Sequence, residues 1–185
     1  MRIIAGIAKG TPLTVPRGAN IRPTSDRVRA AIFSSLGSRV VGADVLDLFA
    51  GSGALGLEAA SRGARSVMFI ERAPAALRAI EENVCRFRKN RGAVCEFTLL
   101  RGDVLVKLAG LARHGRAFSL MFADPPYGEP AAPLLGKVKQ ADLLTDSGTF
   151  VFESAKREPL TIEPPWNVAH EAVYGDTRVR FLTLA

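Results

Sequence analysis

Five short apolar runs recur through the middle of the chain, each followed by a longer stretch in which apolar residues return every three or four positions. The runs are DVLDLFA (44–50), SVMFIE (66–71), VCEFTLLR (94–101), FSLMFAD (118–124) and TFVFESA (149–155). Their near-continuous apolar character predicts strands buried on both faces. Between them GALGLEAASR, APAALRAIEENVCRFRKN, DVLVKLAGLARHG and APLLGKVKQADLL carry helical spacing. The alternation predicts an α/β fold, a mostly parallel sheet covered by helices on both faces. The final NVAHEAVYGDTRVRFLTLA reads as two antiparallel strands turning at Gly175 and Asp176. At the other end RIIAG and TPLTV can pair as a hairpin. Thr24 or Ser25 can cap a helix running to about Leu36, with Val28, Ile32 and Leu36 as its apolar stripe.

Length and charge narrow this picture. A chain of 185 residues suits one domain, here divided into a basic N-terminal extension (1–40) and a catalytic core (41–185). With 48% hydrophobic residues and no run near the ~20 residues of a membrane span, it reads as a soluble protein without a membrane partner. MRIIAGIAKG shows no export signal, so the cytoplasm is the expected compartment. Cys85 and Cys95 suit packing, and His114 (a loop) and His170 (a strand) have no metal-like partners, so no metal is expected. The net charge of +7 is concentrated: Arg2, Lys9, Arg17, Arg22, Arg27, Arg29 and Arg39 face only Asp26 within residues 1–40. Such a cluster suits a polyanion; a solvated basic face is the plainer reading.

LDLFAGSGALG places Gly51, Gly53 and Gly56 in dinucleotide-fingerprint spacing, after a strand and opening a helix. Glu71, at the end of the second strand, can accept from both ribose hydroxyls. To this point an NAD-dependent enzyme fits equally well. Asp47 shifts the balance, because a carboxylate at the end of the first strand would repel a pyrophosphate and attract the cationic methionine moiety of S-adenosylmethionine. Asp103 can accept from an adenine amine or cap the following helix. The expected cofactor contacts are thus Asp47, Gly51, Ser52, Gly53, Glu71, Asp103 and Asp124.

Asp124-Pro125-Pro126-Tyr127 follows the fourth strand, on the edge where open α/β sheets bind ligands. Pro126 biases Pro125 toward an extended conformation whose carbonyl has no helical partner. Beside the Asp124 carboxylate, that carbonyl gives two acceptors for the two hydrogens of a planar exocyclic amine. Holding both N–H groups aims the nitrogen lone pair at a sulfonium methyl and stabilises growing positive charge; Tyr127 can stack on the ring. These four are the expected catalytic residues. Guanine N2, adenine N6, cytosine N4 and a glutamine amide all satisfy this arrangement.

Nearly the whole chain resembles the bacterial 16S ribosomal RNA guanine-N2 methyltransferase family, through RIIAG with KG, RPTSDRVRAAIF, LDLFAGSGALGLEAASRGA, FIE, DPPY and the terminal YGDTRVRF. The resemblance implies a class I, Rossmann-like seven-stranded sheet with one antiparallel strand and S-adenosylmethionine as methyl donor. It also implies catalysis at Asp124 to Tyr127 on a guanine N2 amine of 16S rRNA, with the small ribosomal subunit as the setting. A monomer is expected, with Arg22, Arg27, Arg29 and Lys9 as RNA contacts. The rival readings are a methyltransferase acting on adenine N6 in DNA or RNA, a non-catalytic RNA-binding protein on the same fold, and a small NAD enzyme.

Overall fold

The computed structural model describes residues 1–16, 25–90, 92, 94–126, 131–158 and 160–185. Its strands are β1 (Asp44–Leu48), β2 (Ser66–Glu71), β3 (Glu96–Arg101), β4 (Phe118–Ala123), β5 (Leu144–Ala155), β6 (Trp166–Tyr174) and β7 (Thr177–Leu184). Its α-helices are α1 (Asp26–Leu36), α2 (Ala54–Ser61), α3 (Pro74–Phe87), α4 (Val104–Ala112) and α5 (Ala131–Gln140). The sheet order is β3-β2-β1-β4-β5-β7-β6. Strands β3 to β5 pair in parallel, and β7 runs antiparallel to both β5 and β6. The doubly wound sheet and the terminal antiparallel pair are as the apolar pattern predicts.

Alternation along the central strands divides the core in two. Val45, Val67, Phe69, Leu120 and Phe122 face a cluster that includes side chains of α1, α2 and α3. Leu46, Leu48, Met68, Ile70 and Met121 face one that includes side chains of α4 and α5. Each of these strands buries both faces, which is why it reads as an unbroken apolar run. The chain winds outward in one direction from β1 and in the other from β4, so a topological switch lies between them. Ligands bind at such a point, outside the carboxyl ends of the strands.

The N-terminal forty residues depart most from expectation. The hairpin is reduced to one antiparallel bridge, Arg2 with Pro12, supported by Ile3 N–H to Thr11 O (3.0 Å) and Gly10 N–H to Ile3 O (2.9 Å). Ile3, Ala8 and Leu13 are buried in the same cluster as Val45 and Phe33, so this segment is part of the core. Glu58 of α2 ties it down, accepting from the amides of Ile4 (2.7 Å) and Ala5 (3.0 Å). Gly6 has φ +82°, and a Cβ there would lie 1.8 Å from the Ser61 carbonyl oxygen; only glycine allows this approach.

Ser25 caps α1, accepting from Val28 N–H at 3.2 Å, and the helix buries Val28, Ile32 and Leu36 as expected. It also buries Arg29, at 0% exposure. The guanidinium donates to the Arg2 carbonyl (2.5 Å) and to Asp26 (2.9 Å), and its Nε lies 3.7 Å from the equally buried Glu58. Arg29 is therefore not an RNA contact: it is an internal clamp between α1, α2 and the N-terminal segment. The N-terminal segment and the sheet share one apolar cluster.

Candidate active site

Strand β1 ends in a loop that requires left-handed backbone three times in five residues: φ is +54° at Phe49, +57° at Gly51 and +74° at Gly53. Phe49 is not a glycine, and such a conformation costs about 1–3 kcal/mol, typically at functional turns. The three fingerprint glycines divide the work. A Cβ on Gly51 would meet nothing nearer than Phe49 O at 3.9 Å, and Gly51 lines a cavity of about 450 Å³. A Cβ on Gly53 would instead meet Phe69 at 3.2 Å and Ile80 at 3.4 Å, and one on Gly56 would lie 2.5 Å from Phe69. Gly53 thus faces the core, its N–H is committed to Ala50 O (2.7 Å), and the expected ligand contact is corrected to a packing and turn role. Ser52 is on the cavity wall, and its carbonyl accepts from Asn83 Nδ2 at 2.9 Å.

Asn83 was not anticipated. Fully buried in α3, it also exchanges two hydrogen bonds with the backbone of Thr14, at 2.7 and 2.9 Å. It thereby fixes the glycine loop to the N-terminal segment. Its spacing from Ala76, Ile80 and Phe87, all buried on α3, is the signal that could have found it: a polar residue at a core position must be hydrogen-bonded.

Glu71 closes β2 and lines the cavity. Its Oε2 accepts from Gly51 N–H (2.9 Å), and its Oε1 from Arg72 N–H (2.7 Å) and Ala73 N–H (2.8 Å). A carboxylate offers about four lone-pair sites, so one acceptor site remains on Oε2, enough for a single ribose hydroxyl. Asp103 takes the capping alternative: it caps α4 through Val106 N–H (3.3 Å) and pairs with Arg72 (3.3 Å). Its neighbour Val104, not Asp103 itself, is among the cavity-lining residues.

Asp47, 2% exposed, lines the floor and accepts from Gly56 N–H at 2.9 Å. Burial pushes its carboxyl up to about 8; the Gly56 amide opposes this, and the charges of Glu71 and Asp124 add to it. Asp47, Glu71 and Asp124, from the ends of β1, β2 and β4, line one space. Asp124, Pro125 and Pro126 line the same cavity. Tyr127 and Arg22 lie outside the described residues. Five carboxylates, of Asp47, Glu71, Asp124, Glu153 and Glu158, and one guanidinium, of Arg72, are among the described lining groups. The potential favours a cationic ligand and opposes a pyrophosphate.

Lys9 and Arg27 are exposed. His114 is exposed with Nδ1 2.9 Å from Gly110 O, and His170 packs on Phe181 with ring centroids 5.3 Å apart. Cys85 is exposed rather than packed. The Cys95 thiol is pushed up to about 11 by burial and by Glu96, so it stays protonated. Among the described residues no group of His, Cys, Asp and Glu could hold a metal ion, and no helix is long and apolar enough to cross a membrane.

The family described as "Conserved hypothetical protein 95" matches residues 1–183. "Ribosomal RNA small subunit methyltransferase D" of Escherichia coli K12 is 32% identical over 182 residues, covering 97% of this chain and 88% of that one. The chain belongs to this family of small-subunit ribosomal RNA methyltransferases. Its namesake in Haemophilus influenzae is 30% identical over 179 residues, 95% of this chain and 89% of that one. Among solved structures, a hypothetical protein of Thermus thermophilus, TTHA0928, superposes with a TM-score of 0.82 at 34% identity, covering 100% of this chain and 99% of that one. The rRNA methyltransferase aviRa of Streptomyces viridochromogenes shares the fold, with a TM-score of 0.72 at 18% identity over 96% of this chain and 91% of that one. The fold is the class I methyltransferase fold.

Proposed function

We propose that this protein methylates the N2 amine of a guanine in 16S rRNA, using S-adenosylmethionine. The observation that carries the reading is one cavity at the topological switch, lined by Gly51, Glu71 and Asp47 together with Asp124, Pro125 and Pro126. The lining fits the cofactor: Gly51 leaves room for close approach, Oε2 of Glu71 has an acceptor site for a ribose hydroxyl, and buried Asp47 is a partner for the methionine ammonium. The adenine ring would lie toward Arg72, Val104 and the Asp103 cap. Bound there, S-adenosylmethionine supplies an electrophilic methyl: the S–CH3 bond breaks as the N–CH3 bond forms, giving S-adenosylhomocysteine and one proton from the amine.

Asp124 and the Pro125 carbonyl hold the two amine hydrogens and direct the lone pair. The partly exposed Asp124 stabilises the developing positive charge and passes the released proton to solvent. The extrusion of the base into the cavity and its stacking on Tyr127 belong to this reading, as do a small-subunit substrate and a monomeric enzyme.

Labelled methyl transfer to unmethylated small subunits and to naked 16S rRNA, followed by nucleoside analysis, tests it. N2-methylguanosine is the expected product, and Asp124→Ala should lower single-turnover rate on the order of 100-fold. Label recovered as N6-methyladenosine, or no transfer by a protein that binds the cofactor, would overturn the assignment.

A further inference from the structure

The wall formed by β5, β6 and β7 has no part in cofactor binding or in the methyl transfer described above. It contributes Glu153, Ala155, Tyr174 and Thr177 to the cavity. Ala155 pairs with Thr177, which pairs in turn with Tyr174, and Glu153 pairs with Val179. These residues share one face of the sheet, the face on which α1 packs. Glu153 is only 2% exposed, yet it borders the cavity.

Register places Glu153 beside the reacting end of the site. The last paired residues of the parallel strands β4 and β5 are Ala123 and Phe152. Asp124 follows Ala123, and Glu153 follows Phe152. Neighbouring strands lie about 4.8 Å apart, and both carboxylates line the same cavity. A base whose exocyclic amine is held by Asp124 therefore presents the adjoining part of its edge to Glu153.

That adjoining position distinguishes the bases. In guanine the N2 amine is flanked by N1, which carries a hydrogen, and by N3, which carries a lone pair, so on the N1 side amine and N1–H form a row of donors. In adenine and cytosine the ring nitrogen next to the amine carries a lone pair. An ionised carboxylate only accepts, so it complements guanine and repels the other two. We infer that Glu153 accepts the N1–H of the target guanine while Asp124 and Pro125 hold its N2 amine, making Glu153 the residue that selects guanine. This inference rests on the guanine-N2 reading above.

A base analogue separates the two. In 2-aminopurine the exocyclic amine is in the same place, but N1 has no hydrogen. Once the methylated position is mapped, single-turnover rates are compared on RNA carrying guanosine or 2-aminopurine there. The wild-type protein should favour guanosine by about tenfold to a hundredfold, the worth of one hydrogen bond to a charged group. Glu153→Gln, whose amide can donate to the bare N1, should bring the ratio towards one. Asp124→Asn should slow both RNAs and leave the ratio unchanged. Comparing variant with wild type cancels the different reactivities of the two amines.

A guanosine to 2-aminopurine ratio that Glu153→Gln leaves unaltered would overturn the role of Glu153. If Glu153→Gln does not fold, as judged by melting and cofactor affinity, Glu153→Ala, which removes the acceptor, takes its place and should likewise bring the ratio towards one. Absence of N2-methylguanosine from the guanosine RNA is a separate result: it removes the guanine-N2 reading and this inference with it.

Discussion

Glu58 and Glu71 are both buried carboxylates that collect backbone amides, and they have opposite parts. Glu58 takes the amides of Ile4 and Ala5, a hydrogen bond from Arg62 at 2.8 Å and the charge of Arg29. Its side chain is fully enclosed, so it serves only to fasten three segments together. Glu71 takes three amides, but it stands on a cavity wall with one acceptor site left. Burial and hydrogen bonding alone do not mark a functional acid; the difference is whether an acceptor site opens on a space that a ligand can enter.

The largest expected effect breaks the enclosed side of this comparison. Glu58→Leu removes the buried carboxylate beside Arg29, leaving it, among the described carboxylates, only the exposed Asp26, and the amides of Ile4 and Ala5 lose their acceptor. Removing one partner of a buried pair costs about 3–5 kcal/mol. At about 2–4 °C per kcal/mol for a chain of this size, the melting temperature should fall on the order of 10 °C. The double change Glu58→Leu with Arg29→Met should recover part of the loss. A single variant melting within a degree or two of wild type would show that the clamp carries little.

On the open side, Glu71→Ala takes the acceptor from three amides and so should also lower the melting temperature, and it should weaken S-adenosylmethionine binding by about 1.5–3 kcal/mol, the worth of hydrogen bonds to a charged acceptor. Calorimetry on the folded variant reads this. Unchanged affinity would move the ribose away from Glu71.

Asp47 gives a smaller, pH-dependent effect. Its carboxyl titrates near 3.8 in an unfolded chain and near 8 in the folded protein, so folding takes up a proton between those values. Its contribution to stability therefore declines as pH rises from about 4 to about 8. A cationic ligand favours the ionised form, so binding at pH 7 should release a proton, and affinity should rise towards pH 8. Calorimetry in buffers of differing ionisation enthalpy reads proton release. The same release from Asp47→Asn would assign the proton to another group.

The sheet was legible because β1, β2 and β4 bury both faces and so leave unbroken apolar runs. Strand β5 was read too short: it begins at Leu144, not Thr149, because Leu144 pairs with Phe118 across a register shift, and TDSG resembles a loop in sequence. The helical reading of APLLGKVKQADLL overran for the same reason, since α5 ends at Gln140 and Asp142 turns at φ +50°. In the site, Asp47, Gly51, Glu71 and Asp124 were identifiable because a strand end beside a glycine loop dictates where they project. Arg29 was misread because charge was weighed above spacing: it falls three, four and seven residues before Ile32, Phe33 and Leu36, on the buried stripe. Glu153 and Tyr174 escaped because only strand register brings the terminal hairpin to the cavity.

Correcting Arg29 changes what the basic N-terminus can do. Lys9 and Arg27 are exposed, whereas the Arg29 charge is already used inside the protein. If the exposed pair contacts phosphates, each contact releases condensed counterions, and the slope of log affinity against log salt carries about 0.7–0.9 per contact. Lys9→Gln with Arg27→Gln should therefore flatten that slope by roughly 1.4–1.8 units if both contacts exist, with cofactor affinity and melting temperature nearly unchanged. Neither side chain is needed by the core, so the variant isolates surface charge from folding in a way that no change at Arg29 can. An unaltered slope would place the RNA surface elsewhere on the protein and leave Lys9 and Arg27 as solvated charges; a fall in melting temperature would instead show that these side chains, like Arg29, help hold the N-terminal segment in place.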